Sequence, residues 1–262
     1  HRLIEEFMVA ANVSAAQFLI ESELPALFRI HETPSEEKLS GLREFLGELG
    51  LTLGGGQEPQ PKHYASLLNN AQKRPDAHLI QTVMLRSLKQ AVYSPDNVGH
   101  FGLSLEAYAH FTSPIRRYPD LQVHRTIRHL ISKQSKKKWP VSHEDMEQLG
   151  DHCSMASRRA DEATRDVSDW LKCEFMQERV GEEYDGIING VTSFGLFVEL
   201  GEMYIEGLVH ITALKNDYYQ YDAAAHRLTG ERSRKVYRLG DKVKVKVVRV
   251  DLDEKKIDLE LA

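Results

Sequence analysis

Between Gly99 and Asp120 the chain reads GHFGLSLEAYAHFTSPIRRYPD, which sets two adjacent arginines, Arg116 and Arg117, among flat side chains. A guanidinium offers a planar fork that matches two phosphate oxygens, and backbone N–H groups at a helix start favour anions. Ser113 followed by Pro114 reads as an N-cap and a first helical residue, because the serine oxygen accepts a first-turn N–H and proline has none to waste there. This predicts Arg116 and Arg117 inside the first helical turn. Tyr108, His110, Phe111 and Tyr118 supply faces of the kind on which bases stack. Together these residues point to a phosphodiester backbone as the ligand. The competing reading pairs Arg116 or Arg117 with Asp120 across one turn and puts the aromatics in a core; for any single residue the two readings stand level.

The rest of the chain must hold that segment. Its 262 residues, 41% hydrophobic and 28% charged, suffice for two domains of ordinary composition. The net charge of −5 argues mildly against nucleic acid, but between Ser113 and Lys138 eight basic residues (Arg116, Arg117, Arg125, Arg128, Lys133, Lys136, Lys137, Lys138) face the single acid Asp120. Lys136–Lys138, followed by Trp139 and Pro140, reads as a solvated turn between helices. The apolar runs fall short of the ~20 residues a membrane span needs. The opening His1 in place of Met reads as a fragment without a signal or transit peptide. Cys153 and Cys173 fall on one predicted helix, about 30 Å apart at ~1.5 Å per residue, so they cannot bridge each other and a reducing cytoplasm is expected.

Leu3, Ile4, Phe7, Met8, Ala11, Ala15 and Phe18 recur at helical spacing and predict a buried helix over residues 1–20, with Glu5 and Glu6 at its solvent edge. Thr33-Pro34-Ser35-Glu36 signals a second helix burying Leu39, Leu42, Phe45, Leu46 and Leu49. Helices follow over 62–71 and 76–92, and a long one over 143–179 on Met146, Leu149, Cys153, Ala156, Ala160, Ala163, Val167, Trp170, Leu171 and Phe175. Its neighbouring charges, such as Arg158 with Glu162 and Arg165 with Asp169, read as helix support. After Gly181 the period becomes strand-like. YDGIINGV, SFGLFVEL, YIEGLVHI, KVKVKVVRV and KKIDLEL have the count and spacing of a five-stranded OB barrel, with Lys242, Lys244 and Lys246 on one face of a strand and Val243, Val245 and Val247 on the other. Neither a carboxylate cluster, an HExxH motif nor zinc-spaced cysteines occur, so no metal ligands are assigned.

SPIRRYPD behind HFGLSLEAYAHFT closely resembles the signature of the ribonuclease II and ribonuclease R family, processive hydrolytic exoribonucleases acting from the 3′ end of RNA. HRLIEEFMVAAN, RRADEATRDVSDWLKCEF and the segment after Val180 resemble its ribonuclease R branch, so the similarity spans essentially the whole chain. The resemblance implies an α+β fold: the mainly helical C-terminal half of an RNB catalytic domain over 1–179, then an S1-like OB-fold RNA-binding domain over 180–262, with 215–238 inserted before the last strands. It implies Arg116 as the contact to the scissile phosphate, with Arg117, Tyr118 and Asp120 orienting phosphate or helix, and His124 and Arg125 more often structural. It implies Tyr108 and His110 at the end of an RNA channel, a glutamate (Glu5 or Glu6) near the bound nucleotide, and Arg158, Arg159 or Glu162 facing inward. In the S1-like part it implies RNA contacts from Phe194, Phe197, His210, Asp251 and Lys255; barrel core is the alternative for either phenylalanine. Lys255 stands where the family has arginine, and Thr164 where the ribonuclease II branch has glutamate, so that glutamate's role is not carried over. The family hydrolyses with Mg2+ held by upstream carboxylates, which implies that this chain alone binds single-stranded RNA without cutting it. The alternative is a non-catalytic module docking an RNA-decay or ribosome-rescue partner.

Overall fold

The computed structural model describes residues 1–74, 76–132, 139–214, 217–223 and 225–262. In chain order its helices are α1 (Arg2–Ser22), α2 (Glu36–Glu48), α3 (Pro61–Ala71), α4 (Ala77–Ser87), α5 (Tyr118–Ile131) and α6 (His143–Gln177). Its strands are β1 (Phe28–Ile30), β2 (Val92–Ser94), β3 (Glu183–Thr192), β4 (Gly195–Leu200), β5 (Ile205–His210), β6 (Tyr219–Asp222), β7 (Arg227–Gly230), β8 (Val236–Arg238), β9 (Lys242–Asp251) and β10 (Lys256–Leu261). They form two compact units: His1–Ser35 with Gln57–His63 and Ser87–Asp161, and Glu36–Gly56 with Tyr64–Arg86 and Glu162–Ala262. The expected loop at Lys136–Lys138 lies outside the described residues.

In the first unit β1 and β2 pair antiparallel, Arg29 opposite Tyr93, and the Arg29 N–H donates to the Tyr108 carbonyl at 2.8 Å, tying residues 107–109 alongside. Ala15, Ala16 and Leu19 of α1 close a core with Ala26, Phe28, Ile30, Ala107, Ala109 and Val123 of α5. The buried face of α1 is therefore Asn12, Ala15, Ala16, Leu19 and Ser22, which corrects the predicted stripe: Leu3, Ile4 and Phe7 are 59–65% exposed. Two alanines let the helix lie close to the strands, and close approach of small side chains decided the face over bulk. By length and composition α1 is also apolar enough to cross a membrane, a property the sequence reading missed; here its inward face belongs to this core. The helix expected over 76–92 stops at Ser87, because Val92 is taken up in the pairing with Ile30.

In the second unit the five strand-like runs form the predicted barrel, closed in the order β10-β5-β4-β3-β9. Leu196, Val198 and Leu200 fill its interior while Phe197 and Glu199 alternate outward. On β9 the lysines at 242, 244 and 246 are exposed and Val245 and Val247 buried, as expected. The insertion adds a three-stranded sheet, β6-β7-β8. Asp217 caps its turns, taking N–H donations from Tyr218, Arg232 and Ser233 and the Ser233 hydroxyl, and the Ser233 hydroxyl above all holds its carboxyl well below the usual range. α2 buries Leu39, Leu42, Phe45 and Leu46. α6 runs through both units and its middle departs from expectation: Val167, Trp170, Leu171 and Phe175 are exposed, while Met146, Gly150 and Ser154 in the first unit's part and Cys173 and Met176 in the second's are buried. Burial lies toward the two ends of a helix too long for one core to cover, so a continuous apolar stripe does not imply continuous burial.

Gly195 begins β4 at φ +157°, and an added Cβ would sit 2.4 Å from the Val209 carbonyl oxygen. Gly195→Ala is expected to lower the unfolding free energy by roughly 2 kcal/mol or more, read by urea denaturation; an unchanged midpoint would show that β4 and β5 can separate freely.

Candidate nucleic-acid interface

The site in the first unit is organised by a carboxylate. Asp120 is fully buried near the start of α5 and its Oδ1 accepts the Ser113 N–H at 2.7 Å and a guanidinium N–H of Arg117 at 2.8 Å. Arg116 and Arg117 N–H groups turn back to the Ser113 carbonyl at 3.3 and 3.0 Å. These bonds make a tight loop of Ser113–Arg117 and delay the helix, which begins at Tyr118 with Arg117 as N-cap and Pro119 in its first turn. The arginines therefore precede the helix, correcting the expected N-cap at Ser113: the N-cap is Arg117, with no side-chain cap hydrogen bond among the described residues, and Pro119 takes the place assigned to Pro114.

The two competing readings of the pair divide between its members. Arg117 is the ion-pair partner of Asp120, 22% exposed in its side chain, and its Nε is buried without a hydrogen bond among the described residues. The Arg116 side chain is exposed and has no hydrogen bond or ion pair among the described residues. Asp120, buried and acceptor to two groups, positions the loop and does not present itself to a ligand. Tyr118 is half exposed, its hydroxyl accepting from Arg125 at 2.9 Å, with that guanidinium 5.5 Å from its ring centre. His124 stacks on Phe111 at 4.2 Å, and its Nε2 meets the Phe111 carbonyl at 2.9 Å, a structural role as expected.

Tyr108 is buried, its hydroxyl accepts from Asn12 at 2.9 Å, and His100 and His110 meet its ring edge to face. That corrects its expected role as an open stacking face: the ring belongs to the wall. His110 is half-buried, with the Tyr93 hydroxyl 2.8 Å from its Nδ1. Burial, followed by Arg117 and Arg29, pushes His110 from 6.5 down to about 3, and burial followed by His31 pushes His100 down to about 4. Three residues here were missed from the sequence. Arg29 lays its guanidinium 4.6 Å from the Tyr93 ring centre; burial and the nearby Arg117 lower its pKa, while Tyr93 and Asp161 oppose them. Tyr93 and Asn12 are spaced too far along the chain from the motif to be read with it. The only clue to Arg29 was a charge between Phe28 and Ile30 in an apolar run. Glu5 and Glu6 on α1 and Arg158 on α6 are exposed in the same unit, with no contact joining them to the arginine loop among the described residues.

The second unit carries the other candidates. Phe194 in the β3–β4 turn is 46% exposed and meets Phe197 edge to face at 5.9 Å. Gly195 pairs with His210 and Phe197 with Leu208, so Phe197 and His210 share the outer barrel face with Phe194 beside them. A Cβ at Gly190, opposite Phe197, would come within 3.1 Å of that side chain, so glycine there makes room for it. Exposed His210 holds Thr212 through Nδ1, at 2.8 Å from its hydroxyl. Asp251 caps the β9–β10 turn, accepting the Glu254 N–H at 3.0 Å and Arg249 at 2.6 Å. Lys255, in that turn, pairs with Asp166 of α6. Among the described residues no group of three or more His, Cys, Asp or Glu side chains is placed to hold a metal ion.

An outward aromatic pair on a closed OB barrel, and an arginine loop braced by a buried carboxylate, are features of the class suited to holding nucleic acid. The RNB domain family model matches residues 1–133, just over half of the 262, and the S1 RNA binding domain model matches 177–262. The chain belongs to the RNB family, with an S1 domain following. It is 57% identical to ribonuclease R of Vibrio cholerae and 55% identical to that of Escherichia coli, over the whole of this chain but 33% of each relative. It superposes on Mycoplasma genitalium RNase R in complex with ribose-methylated single-stranded RNA with a TM-score of 0.91 at 30% identity, covering 99% of this chain and 41% of that one.

Two outcomes follow from this geometry. Asp120→Asn is expected to cost roughly 3 kcal/mol, because Arg117 loses its buried counter-charge, whereas Arg116→Ala stays within about 0.5 kcal/mol; urea unfolding of both tests it, and equal effects would deny Asp120 its bracing role. His110 stays neutral in the fold, while unfolded histidine titrates near 6.5. Below that pH the unfolded chain takes up protons the folded chain refuses, so stability falls as pH drops from about 6.5 toward 4. Comparing unfolding at pH 7 and 5.5, His110→Gln is expected to remove up to about 1.4 kcal/mol of that loss per pH unit; an identical pH dependence in the variant would contradict a neutral His110.

Proposed function

We propose that this chain is the phosphate-clamping and RNA-holding part of a processive 3′→5′ exoribonuclease that hydrolyses RNA to 5′-mononucleotides. The observation that carries the reading is the division of labour at the motif: Asp120 occupies Arg117 and leaves Arg116 exposed and unpaired on a braced loop. A preorganised cation of this kind stabilises the charge that builds on phosphate oxygens as the phosphodiester is attacked, an effect worth ~3–4 kcal/mol in comparable oxyanion sites. Arg117 orients the loop, Tyr118 and His110 border it, and Glu5, Glu6 and Arg158 belong to the same RNA path. On the S1 barrel Phe194 and Phe197 provide stacking faces, with His210 beside them and Asp251 and Lys255 in the adjoining hairpin. The functional division falls at 179/180, and the two free thiols suit a cytoplasmic setting.

Activating the water is the task of divalent metal, Mg2+ in this reading, held by carboxylates outside this chain; the described side chains do not form a fitting set, so no step here runs through it. Single-stranded RNA is the ligand, as in the complex of the Mycoplasma relative. One observation favours a second reading, a module docking a protein of an RNA-decay or ribosome-rescue assembly: the open apolar row Leu3, Ile4 and Phe7 on α1.

A 3′-labelled single-stranded RNA with Mg2+ separates these readings. The chain alone is expected to bind it without releasing nucleotides. A form extended upstream to the length of the relatives is expected to degrade it, and Arg116→Ala in that form to slow cleavage roughly 100- to 1000-fold with binding retained. Cleavage by the short chain would place the metal ligands within it, an unaffected Arg116→Ala would reduce that arginine to structure, and an extended form that never cuts would favour the docking module.

A further inference from the structure

Around His110 the first unit gathers more positive charge than it neutralises. Arg29, Arg116 and Arg117 all act on this ring electrostatically. Against three guanidinium groups stand Asp120, committed to Arg117, and Asp161, which acts on Arg29. His110 itself carries one hydrogen bond, to the Tyr93 hydroxyl through Nδ1 at 2.8 Å. Tyr93 is 7% exposed, and among the described residues that imidazole is its hydroxyl's one partner. If Nδ1 carried the proton, the buried O–H would be left without an acceptor, which is the costlier arrangement. Burial raises the Tyr93 pKa, against the Arg29 guanidinium 4.6 Å from its ring centre, and so keeps the hydroxyl protonated as a donor. The O–H therefore donates to Nδ1, and the ring proton sits on Nε2. Nε2 has no partner among the described residues and is not among the buried unpartnered atoms, so it stays open to a ligand.

We infer that Arg29 and Tyr93 are positioning residues that lock His110 as a neutral Nε2–H donor, and that this donor, flanked by the arginines, receives a backbone phosphate oxygen of RNA. The assignment rests on the RNA reading above and adds to it a subsite beside the Arg116 loop. A neutral donor suits the place: it hydrogen-bonds an anion without adding a fourth positive charge to a half-buried cluster. Arg29, paired into the β1–β2 ribbon opposite Tyr93, holds that ring from below and contributes charge but no direct bond to His110.

The test uses the whole chain with labelled histidine nitrogens, His110 assigned by loss of its signal in His110→Gln, and an oligouridylate as the probe. The nitrogen spectra of the wild type at pH 7 are expected to show His110 as the single Nε2–H tautomer, and Tyr93→Phe to mix the tautomers and weaken oligouridylate binding about 5-fold or more with an unchanged salt slope. Arg29→Met is expected to lower the salt slope by about 1, as one lost cation should. A wild-type His110 in the Nδ1–H or mixed form overturns the inference without recourse to any variant, which covers the case of a variant that fails to fold. Wild-type binding with Tyr93→Phe equally tight overturns the inference alone. A wild type that does not bind oligouridylate overturns the RNA reading and the ligand assigned here together.

Discussion

A fully buried carboxylate is expensive unless it is paired, and Asp120 is paired through Oδ1, which accepts both the Ser113 N–H and Arg117, while Oδ2 is buried without a hydrogen bond among the described residues. The shape of the loop follows from the same bonds. Ser113 is drawn back toward the helix start, residues 114–116 are forced into a turn, and α5 begins only at Tyr118. Arg116 then has nowhere to fold against and projects. The exposed cation is thus a consequence of satisfying the buried anion, and the two adjacent arginines, alike in sequence, acquire opposite roles.

The histidines around that loop and Tyr93 are kept neutral, beside the cations Arg29 and Arg117. Tyr108 is closed off by Asn12 and two histidines, and both histidines are held in the uncharged form by burial. The wall that carries them depends on β1 and β2, three residues each, and on the two alanines that let α1 rest on them. A small core therefore sets the electrostatics of a large site. In the second unit the division is simpler: alternation along β4 puts leucine and valine inside and Phe197 outside, and Gly190 leaves space for that ring.

Much of this was legible beforehand because it depends on short-range chemistry. Period-2 alternation and turn residues delivered all five barrel strands, and SPIRRYPD was singled out as the candidate site, though as a helix start and not as the loop it forms. The errors share a cause. The Ser113 cap was a sound local inference defeated by a side chain seven residues on that takes the Ser113 N–H into a turn ahead of the helix. The apolar stripe of α1 was real, yet burial went to the face whose small side chains allowed closer approach. Tyr108 was taken as a stacking platform because its hydroxyl partner lies 96 residues away.

By itself the sequence determined the two-part α+β organisation, the family and the presence of an arginine pair beside an acid, since each rests on residue type and spacing within a few turns or strands. Only the tertiary structure decided which arginine is free, which aromatics are open, and that Arg29 and Tyr93 belong with His110. Those outcomes depend on burial and on partners distant in the chain, and neither quantity has a local signature.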